Sequence, residues 1–189
     1  PAGQPAVRID PGPIATVLEG RTRPTHFAGV CQVVLTLMHL TAPRWALFGR
    51  KDAQQLAIIE SMVRDLAVPL EIVPVDIRRE SDGLAMSSRN AYLSPEQRRQ
   101  ALALSRALQA GQDVAAQAAG SGTRPDPAAI RRAALASLEA ADGVEIDYVA
   151  LVAPDSFEDL AGAGLGPPRR GPAGEEQGKG LTACLLITS

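Results

Sequence analysis

Two short, uninterrupted apolar runs on either side of one amphipathic stretch constrain this chain more than any other feature. The first is Trp45, Ala46, Leu47 and Phe48; the second is carried by Leu70, Ile72 and Val73, just after Pro69. Runs of this length bounded by Gly and Pro read as strands buried on both faces. Between them Leu56, Ile59, Val63 and Leu66 recur at helical spacing, and Asp52 with Gln55 three residues later reads as an N-cap and its capping-box partner. Parallel strands cannot be joined by a tight turn, so a strand, helix, strand order of this size predicts a right-handed crossover in a parallel sheet. The expected fold class is α/β: part of a doubly wound, Rossmann-like sheet, with a smaller α+β unit after it. Such a sheet needs further strands, and the opening residues, with Pro1, Pro5, Pro11, Pro13 and Pro24, offer only a helical hint at Ile14 to Leu18. A partner half is expected upstream.

Before the first strand, Val30, Val33, Val34 and Leu37 form the apolar stripe of a helix over Gly29 to Leu40, which Pro43 ends. After Pro74 the character changes to a polar run, Asp76 to Asn90, and the domain boundary is placed here, giving residues 1–77 and 78–189. Ser94, Pro95 and Gln97 supply an N-cap, a proline at the first helical position and a capping box. The helix they open carries Ala101, Leu104 and Leu108 on one face, with Gly111 near its end and a frayed continuation beyond. Asp126 and Pro127 cap another helix through Ile130, Ala134 and Leu138, closed by Gly143. Val144, Ile146 and Tyr148, then Leu151 and Val152 after a shift, read as a half-buried strand. Ten of the nineteen residues from Gly162 to Gly180 are Gly or Pro, which predicts a loop, and Leu181 to Thr188 is a candidate last strand.

Composition narrows the function classes. The 189 residues carry nineteen basic and twenty-one acidic side chains, a formal charge of −2, which argues against a nucleic-acid surface built on bulk positive charge. No apolar run approaches the roughly 18 to 20 residues that cross a bilayer. Cys31 and Cys184 sit in apolar surroundings without metal-ligand spacing and read as buried thiols of a reducing, cytoplasmic compartment. His26 and His39 lack a third ligand type nearby, so both read as structural and no metal site is expected from them. Trp45, in an apolar strand, reads as core. Gly174 to Gly180 has the wrong spacing for a P-loop, and Lys179 precedes Gly180 rather than Ser or Thr.

Two segments carry chemistry. Arginine supplies seventeen of the nineteen cations, so Lys51 is one of only two lysines, and with Asp52 it follows a strand and opens a helix. That is where open α/β sheets bind ligands, and a helix N-terminus with an adjacent cation suits phosphate. The bland alternative is a cap beside a surface cation. Met86, Ser87, Ser88, Arg89 and Asn90 place two hydroxyls, a guanidinium and the only asparagine within five residues, a set suited to phosphate oxygens. Equally, it reads as a polar turn with Asn90 in the left-handed region.

Three blocks in order, Arg23-Pro24-Thr25-His26-Phe27, then Phe48-Gly49-Arg50-Lys51-Asp52-Ala53-Gln54-Gln55, then Asp82 to Asn90 as D-G-L-A-M-S-S-R-N, resemble the pantothenate synthetases, the pantoate–β-alanine ligases. The resemblance implies a nucleotidyltransferase-type Rossmann domain, of which 1–77 is the C-terminal half, and a lid domain over 78–189. It implies ligation of pantoate and β-alanine with ATP and Mg2+, through pantoyl adenylate, in a homodimer. By motif position, Lys51 holds the ATP phosphates and stabilises charge at the α-phosphorus. Phe48, Gly49 and Asp52 meet the nucleotide, Gln55 holds pantoate, Met86 touches adenine through its backbone, and Ser87, Ser88 and Arg89 form a second phosphate signature. The family's N-terminal half, with its H-x-G-H motif, has no counterpart in these residues, so the chain is expected to be the C-terminal two thirds of such an enzyme. The rival expectation is a nucleotide-binding remnant without the ligase reaction.

Overall fold

A computed structural model describes residues 5–154 and 156–162, together with the backbone of 181–188. It divides into two compact units, Pro1–Ile77 and Arg78–Ser189.

The first unit opens with a 3-10 turn, Pro13–Thr16, a single helical turn α1 (Glu19–Thr22) and the helix α2 (His26–Thr41). More of the proline-rich opening is therefore helical than its composition predicts. Proline at the first positions of a helical turn removes an N–H that would have had no partner anyway. Strand β1 (Trp45–Gly49), helix α3 (Ala53–Asp65) and strand β2 (Glu71–Val75) follow. β1 and β2 pair in parallel, from Trp45 opposite Glu71 to Gly49 opposite Val75. The crossover order expected from the two apolar runs is thus present. Pro74 lies inside β2, opposite Phe48, rather than ending it; proline fits where its missing N–H faces an unpaired edge.

The core of this unit joins Phe27, Cys31 and Met38 of α2 to Ile58, Ile59, Met62 and Val63 of α3. Ile58 and Ile59 are almost completely enclosed, and burying side chains of this size contributes roughly 1.5–3 kcal/mol each. Four expectations are corrected. The buried stripe of α2 runs through Phe27, Cys31 and Met38, whereas Val33 and Leu37 are exposed. β1 is not buried on both faces: Trp45 is 51% and Leu47 is 67% exposed, because only its other side, Ala46 and Phe48, packs against this core. Trp45 is consequently not core; the Arg44 guanidinium stacks 4.7 Å from its ring centroid and its Nε1 donates to Glu71 Oε2 at 3.2 Å. Leu66, expected on the apolar face of α3, is its exposed C-cap.

Gln54 is the one buried polar side chain of the described core. Its Nε2 donates to the carbonyls of Ile14 and Val17, both at 2.8 Å, and so ties the opening turn to the first turn of α3. Its Oε1 is buried without a hydrogen-bond partner.

In the second unit a hairpin-like segment and a 3-10 turn, Ser88–Tyr92, lead into α4 (Pro95–Gly120), α5 (Pro127–Glu139), β3 (Val144–Val152) and β4 (Leu181–Thr188). The Ser94 capping box forms in both directions: Gln97 N–H donates to Ser94 Oγ at 3.1 Å, and Ser94 N–H donates to Gln97 Oε1 at 3.0 Å. Asp126 caps α5 by accepting from Ala128 N–H at 3.0 Å. α4 does not end near Gly111 but runs to Gly120; Gly111 is buried with Ala103 and Ala107. A mid-helix glycine costs about 1 kcal/mol relative to alanine; nearer the start of α4, Ala103 and Ala107 form a core with the fully enclosed Ala134 and Leu138 of α5. Gly143, at φ 74°, makes the turn into β3. β3 and β4 are parallel, with a register irregularity between Ile146 and Tyr148, whereas the sequence pattern places the shift after Tyr148. The Gly/Pro stretch read as a loop and the rejected P-loop lie outside the described residues except at Gly162, as does the Cys184 side chain.

The Gln54 tie yields a first prediction. Gln54→Leu keeps the volume but strands two carbonyls, and losses of about 1–3 kcal/mol are expected for such groups. Urea unfolding is expected to show a lower midpoint at unchanged slope, with faster amide exchange in residues 13–20.

Candidate functional site

The expected site residues fall into two groups, one in each unit. In the first unit, β1 ends at Gly49 and the chain turns through a single 3-10 turn, Arg50–Asp52, into α3. Phe48 is half-buried against the core, whereas Gly49, Lys51 and Asp52 are exposed and Gln55 is half-buried. The strand end thus presents a lysine, a carboxylate and an amide within five residues, beside the free N–H groups of α3. Asp52 occupies the N-cap position, but its side chain makes no capping hydrogen bond. The expected capping box with Gln55 is therefore absent, since the 3-10 turn gives Asp52 a backbone (φ −97°, ψ 62°) unlike that of a capping residue. Its carboxylate is left for other use. Arg50, by contrast, is paired with Asp76 at 3.1 Å. Lys51 has no ion-pair partner among the described residues.

In the second unit the polar run is a tight antiparallel turn. Arg79 bridges Ala85, Glu80 N–H donates to Leu84 O at 2.8 Å, and Met86 N–H donates to Arg78 O at 2.8 Å. Gly83 stands at φ 94°, a conformation that an L side chain adopts only under strain. Beyond the turn Ser87 caps the 3-10 segment, its Oγ accepting from Arg89 N–H at 3.2 Å. Met86, Ser88 and Arg89 are exposed, and neither the Ser88 hydroxyl nor the Arg89 guanidinium is bonded to a described residue.

Asn90 behaves differently from both expectations. It is not in the left-handed region. Its Nδ2 donates to Glu80 Oε1 at 2.6 Å and to Ala85 O at 3.0 Å, so both amide hydrogens are committed within the protein. Glu80 Oε2 in turn accepts from Arg98 Nη2 at 2.6 Å, and Arg98 Nε donates to Asp82 Oδ2 at 2.7 Å. Asp82 Oδ1 closes the set by accepting from the N–H of Leu84 at 3.1 Å. Sequence reasoning missed this network. One signal was available: Arg98 stands in the first turn of α4, where the helix dipole disfavours a cation, so a tertiary carboxylate partner was required.

The bonds shift the titrations in consistent directions. The carboxyl of Glu80 lies below its ordinary value, first because Asn90 donates to it and then because Arg98 does. That of Asp82 is lowered chiefly by the Leu84 N–H, then by Arg98. The guanidinium of Arg98 is correspondingly held in its charged form. Elsewhere His39 Nδ1 lies 2.8 Å from Leu35 O and His26 packs its ring against Phe27. Cys31 is enclosed, and desolvation pushes its thiol upward. No described helix is long and apolar enough to cross a membrane.

A parallel strand–helix–strand crossover with a lysine at the strand end defines a partial Rossmann-like α/β protein. Residues 3–173 match the family model described as pantoate-beta-alanine ligase, and the chain belongs to that family. Pantothenate synthetase 4 of Frankia alni is 51% identical over 169 residues, which are 89% of this chain and 51% of the relative. The pantothenate synthetase of Anaeromyxobacter dehalogenans is 56% identical over 146 residues, 77% of this chain and 48% of the relative. The crystal structure of the Thermus thermophilus pantothenate synthetase superimposes with a TM-score of 0.74 at 44% identity, covering 82% of this chain and 55% of that one. The chain spans about half the length of the curated relatives it matches, less than the two thirds that the motifs imply.

The lowered carboxyls set a pH dependence. A group whose native value lies below its unfolded one adds stability above the unfolded value, and that stability is lost as pH falls through the native one. The tie between Asn90 and Glu80 is therefore expected to persist through the ordinary carboxylate range, about 4, and to open only below it. An NMR acid titration of the Asn90 side-chain amide signals checks this, with Glu80→Gln expected to abolish the step.

Proposed function

We propose that this chain carries the nucleotide-handling part of a pantoate–β-alanine ligase, with residues 1–77 as the C-terminal half of a Rossmann-like domain and 78–189 as its lid. In the reaction a pantoate carboxylate oxygen attacks the α-phosphorus of ATP, the α–β phosphoanhydride bond breaks and pyrophosphate leaves. The amine of β-alanine then attacks the acyl carbon of pantoyl adenylate, AMP departs, and the amine proton passes to solvent. Negative charge grows on the phosphoryl oxygens and the leaving group, so fixed cations and donors supply the catalysis.

The observation that carries this reading is the division of labour among cations. Arg50 is held by Asp76, Arg79 donates to the carbonyl of Gly83, and Arg98 is bound by two carboxylates. Lys51 and Arg89, the two cations that the family motifs assign to phosphate, are exposed and uncommitted among the described residues. In this reading Lys51 neutralises charge at the α-phosphorus, while Ser87, Ser88 and Arg89 donate to phosphate oxygens. Phe48, Gly49 and Asp52 receive the nucleoside and Gln55 receives pantoate. Since Met86 has already spent its N–H on Arg78, an adenine amino group would donate to the Met86 carbonyl.

Magnesium fits as an ion carried by ATP. The described residues hold no cluster of three carboxylate, thiol or imidazole ligands, and magnesium commonly rests on phosphate oxygens with one or two carboxylates. Asp52 is the free carboxylate nearest in sequence to Lys51. A cytoplasmic homodimer completes the reading.

A second reading, nucleotide binding without ligation, is favoured by one observation. The first unit leaves Val33, Leu37 and Leu40 of α2 and Trp45 and Leu47 of β1 exposed. A surface of that kind marks packing that another segment would complete.

Exchange of labelled pyrophosphate into ATP distinguishes the two readings. Exchange that requires pantoate is expected if the site is complete, and nucleotide binding without exchange supports the remnant. If exchange occurs, Lys51→Ala is expected to weaken it by about 10²-fold, the scale of losing one transition-state contact; if only binding occurs, the same substitution is expected to raise the ATP Kd. Lys179→Ala, outside the motifs, is expected to leave both unchanged.

A further inference from the structure

The Ser87–Arg89 segment has little structure of its own to hold it. Ser88–Tyr92 is a five-residue 3-10 turn, a form too short to be stable without tertiary support. Ser87 caps it locally, and its tertiary support comes from side chains outside the phosphate signature. Asn90, in the middle of the turn, donates to Glu80 on the first arm of the hairpin-like segment and to the Ala85 carbonyl on the second. Glu80 passes the tie to Arg98 in the first turn of α4, and Arg98 returns it to Asp82 at the tip. Three segments, the two-armed turn, the 3-10 turn and α4, are therefore fastened at one carboxylate. α4 itself is anchored by its capping box and by Ala103 and Ala107 in the core.

We propose that Glu80 is a positioning residue for the phosphate signature: by bridging Asn90 to Arg98 it fixes the 3-10 turn to α4, and so sets where Ser88 and Arg89 present their donors to a nucleotide phosphate. This rests on the reading of Ser87–Arg89 as phosphate ligands. The geometry leaves Glu80 no direct part in binding. As an anion it would repel phosphate, and its two oxygens are occupied by Asn90 and Arg98. The lowered titration of its carboxyl agrees with two charge-assisted or amide donors bound to it. Charge-assisted hydrogen bonds of this length are the stronger kind, and a flexible binding turn must be ordered at the expense of affinity.

The test reads two quantities on the full 189-residue chain: amide hydrogen exchange without nucleotide, and the Kd for ATP with magnesium. Glu80→Ala is expected to speed exchange across Ser88–Tyr92, and to raise the ATP Kd, by about tenfold or more each. Exchange at Ala107, Ala134 and Leu138 is expected to stay at the wild-type rate, which shows that the unit remains folded. Arg89→Ala is expected to raise the Kd and leave exchange in the turn unchanged, because it removes a ligand and not a support. The double variant Glu80→Gln/Asn90→Asp reverses the donor and acceptor across the bridge and keeps an oxygen for Arg98. It is expected to recover part of both losses, short of wild type because the bond to the Ala85 carbonyl is gone. If Glu80→Ala loosens the turn but leaves the Kd alone, or changes neither, the proposal is overturned. If Arg89→Ala leaves the Kd unchanged, or the wild-type chain does not bind ATP, the phosphate reading itself fails and takes the proposal with it.

Discussion

The first unit depends on the impossibility of closing two parallel strands with a short turn. Since β1 and β2 run in the same direction, the chain must cross the sheet between them, and α3 is the crossing segment. Its Ile58 and Ile59 meet Phe27 and Cys31 of α2 in one enclosed core, which fixes the helix over the strands. The functional geometry follows from that burial. The crossover must leave β1 at its carboxyl end and enter α3 at its amino end, so the residues between them, Gly49 to Asp52, stand beside unsatisfied helix N–H groups. Lys51 is presented because the core requires the turn there. Gln54, one residue into the helix, extends the same constraint backward by holding Ile14 and Val17.

The second unit obtains rigidity by different means. Ala103, Ala107 and Gly111 of α4 and Ala134 of α5 are small enough to bring two helices into close contact, and Arg131 Nε donates to the Val149 carbonyl at 2.7 Å to tie α5 to β3. An alanine-rich chain is suited to this packing, because each small side chain loses little entropy on burial. The polar turn before α4 has few apolar contacts beyond Leu84. Arg98 of α4 links to it through Glu80 and Asp82, and Glu80 in turn accepts from Asn90 of the serine–arginine segment.

Features encoded by neighbouring residues were legible in the sequence. The Ser94–Gln97 box, the Asp126 cap, the strand–helix–strand order and the irregular strand near Tyr148 all rest on local patterns. What was not legible depended on partners distant in sequence. Val33 and Leu37 fit a helical stripe as well as Phe27 and Cys31 do, and only the placement of α3 decides which stripe is buried. Asp52 has the residue type and spacing of a cap, yet the preceding 3-10 turn turns its backbone away from capping. Gly111 resembles a helix end in the sequence, yet it lies buried in the middle of α4. Lys51 and Ser87–Arg89 stand out by residue type and position and Gln55 by resemblance alone, whereas the linkage of Glu80, Asp82 and Arg98 was missed because it joins residues 16 and 18 apart.

Asn90 shows why pairing has to be settled before a polar residue is assigned to a ligand. By composition it stands with Ser87, Ser88 and Arg89 as one phosphate-binding set, and its amide is a good donor. A donor serves an external anion only with hydrogens that the protein has not used, and both amide hydrogens of Asn90 already have acceptors. The same reasoning separates the cations. Arg98 lies eight residues beyond Asn90 and has greater charge than any amide, but two carboxylates neutralise it, so its field beyond the network is weak. Arg89 has no such neighbour among the described residues and projects its full charge from the turn that Asn90 and Glu80 hold. The motif therefore comprises two chemically distinct roles within four consecutive residues: donors left without an acceptor among the described residues, and one committed donor that ties the backbone from which they project.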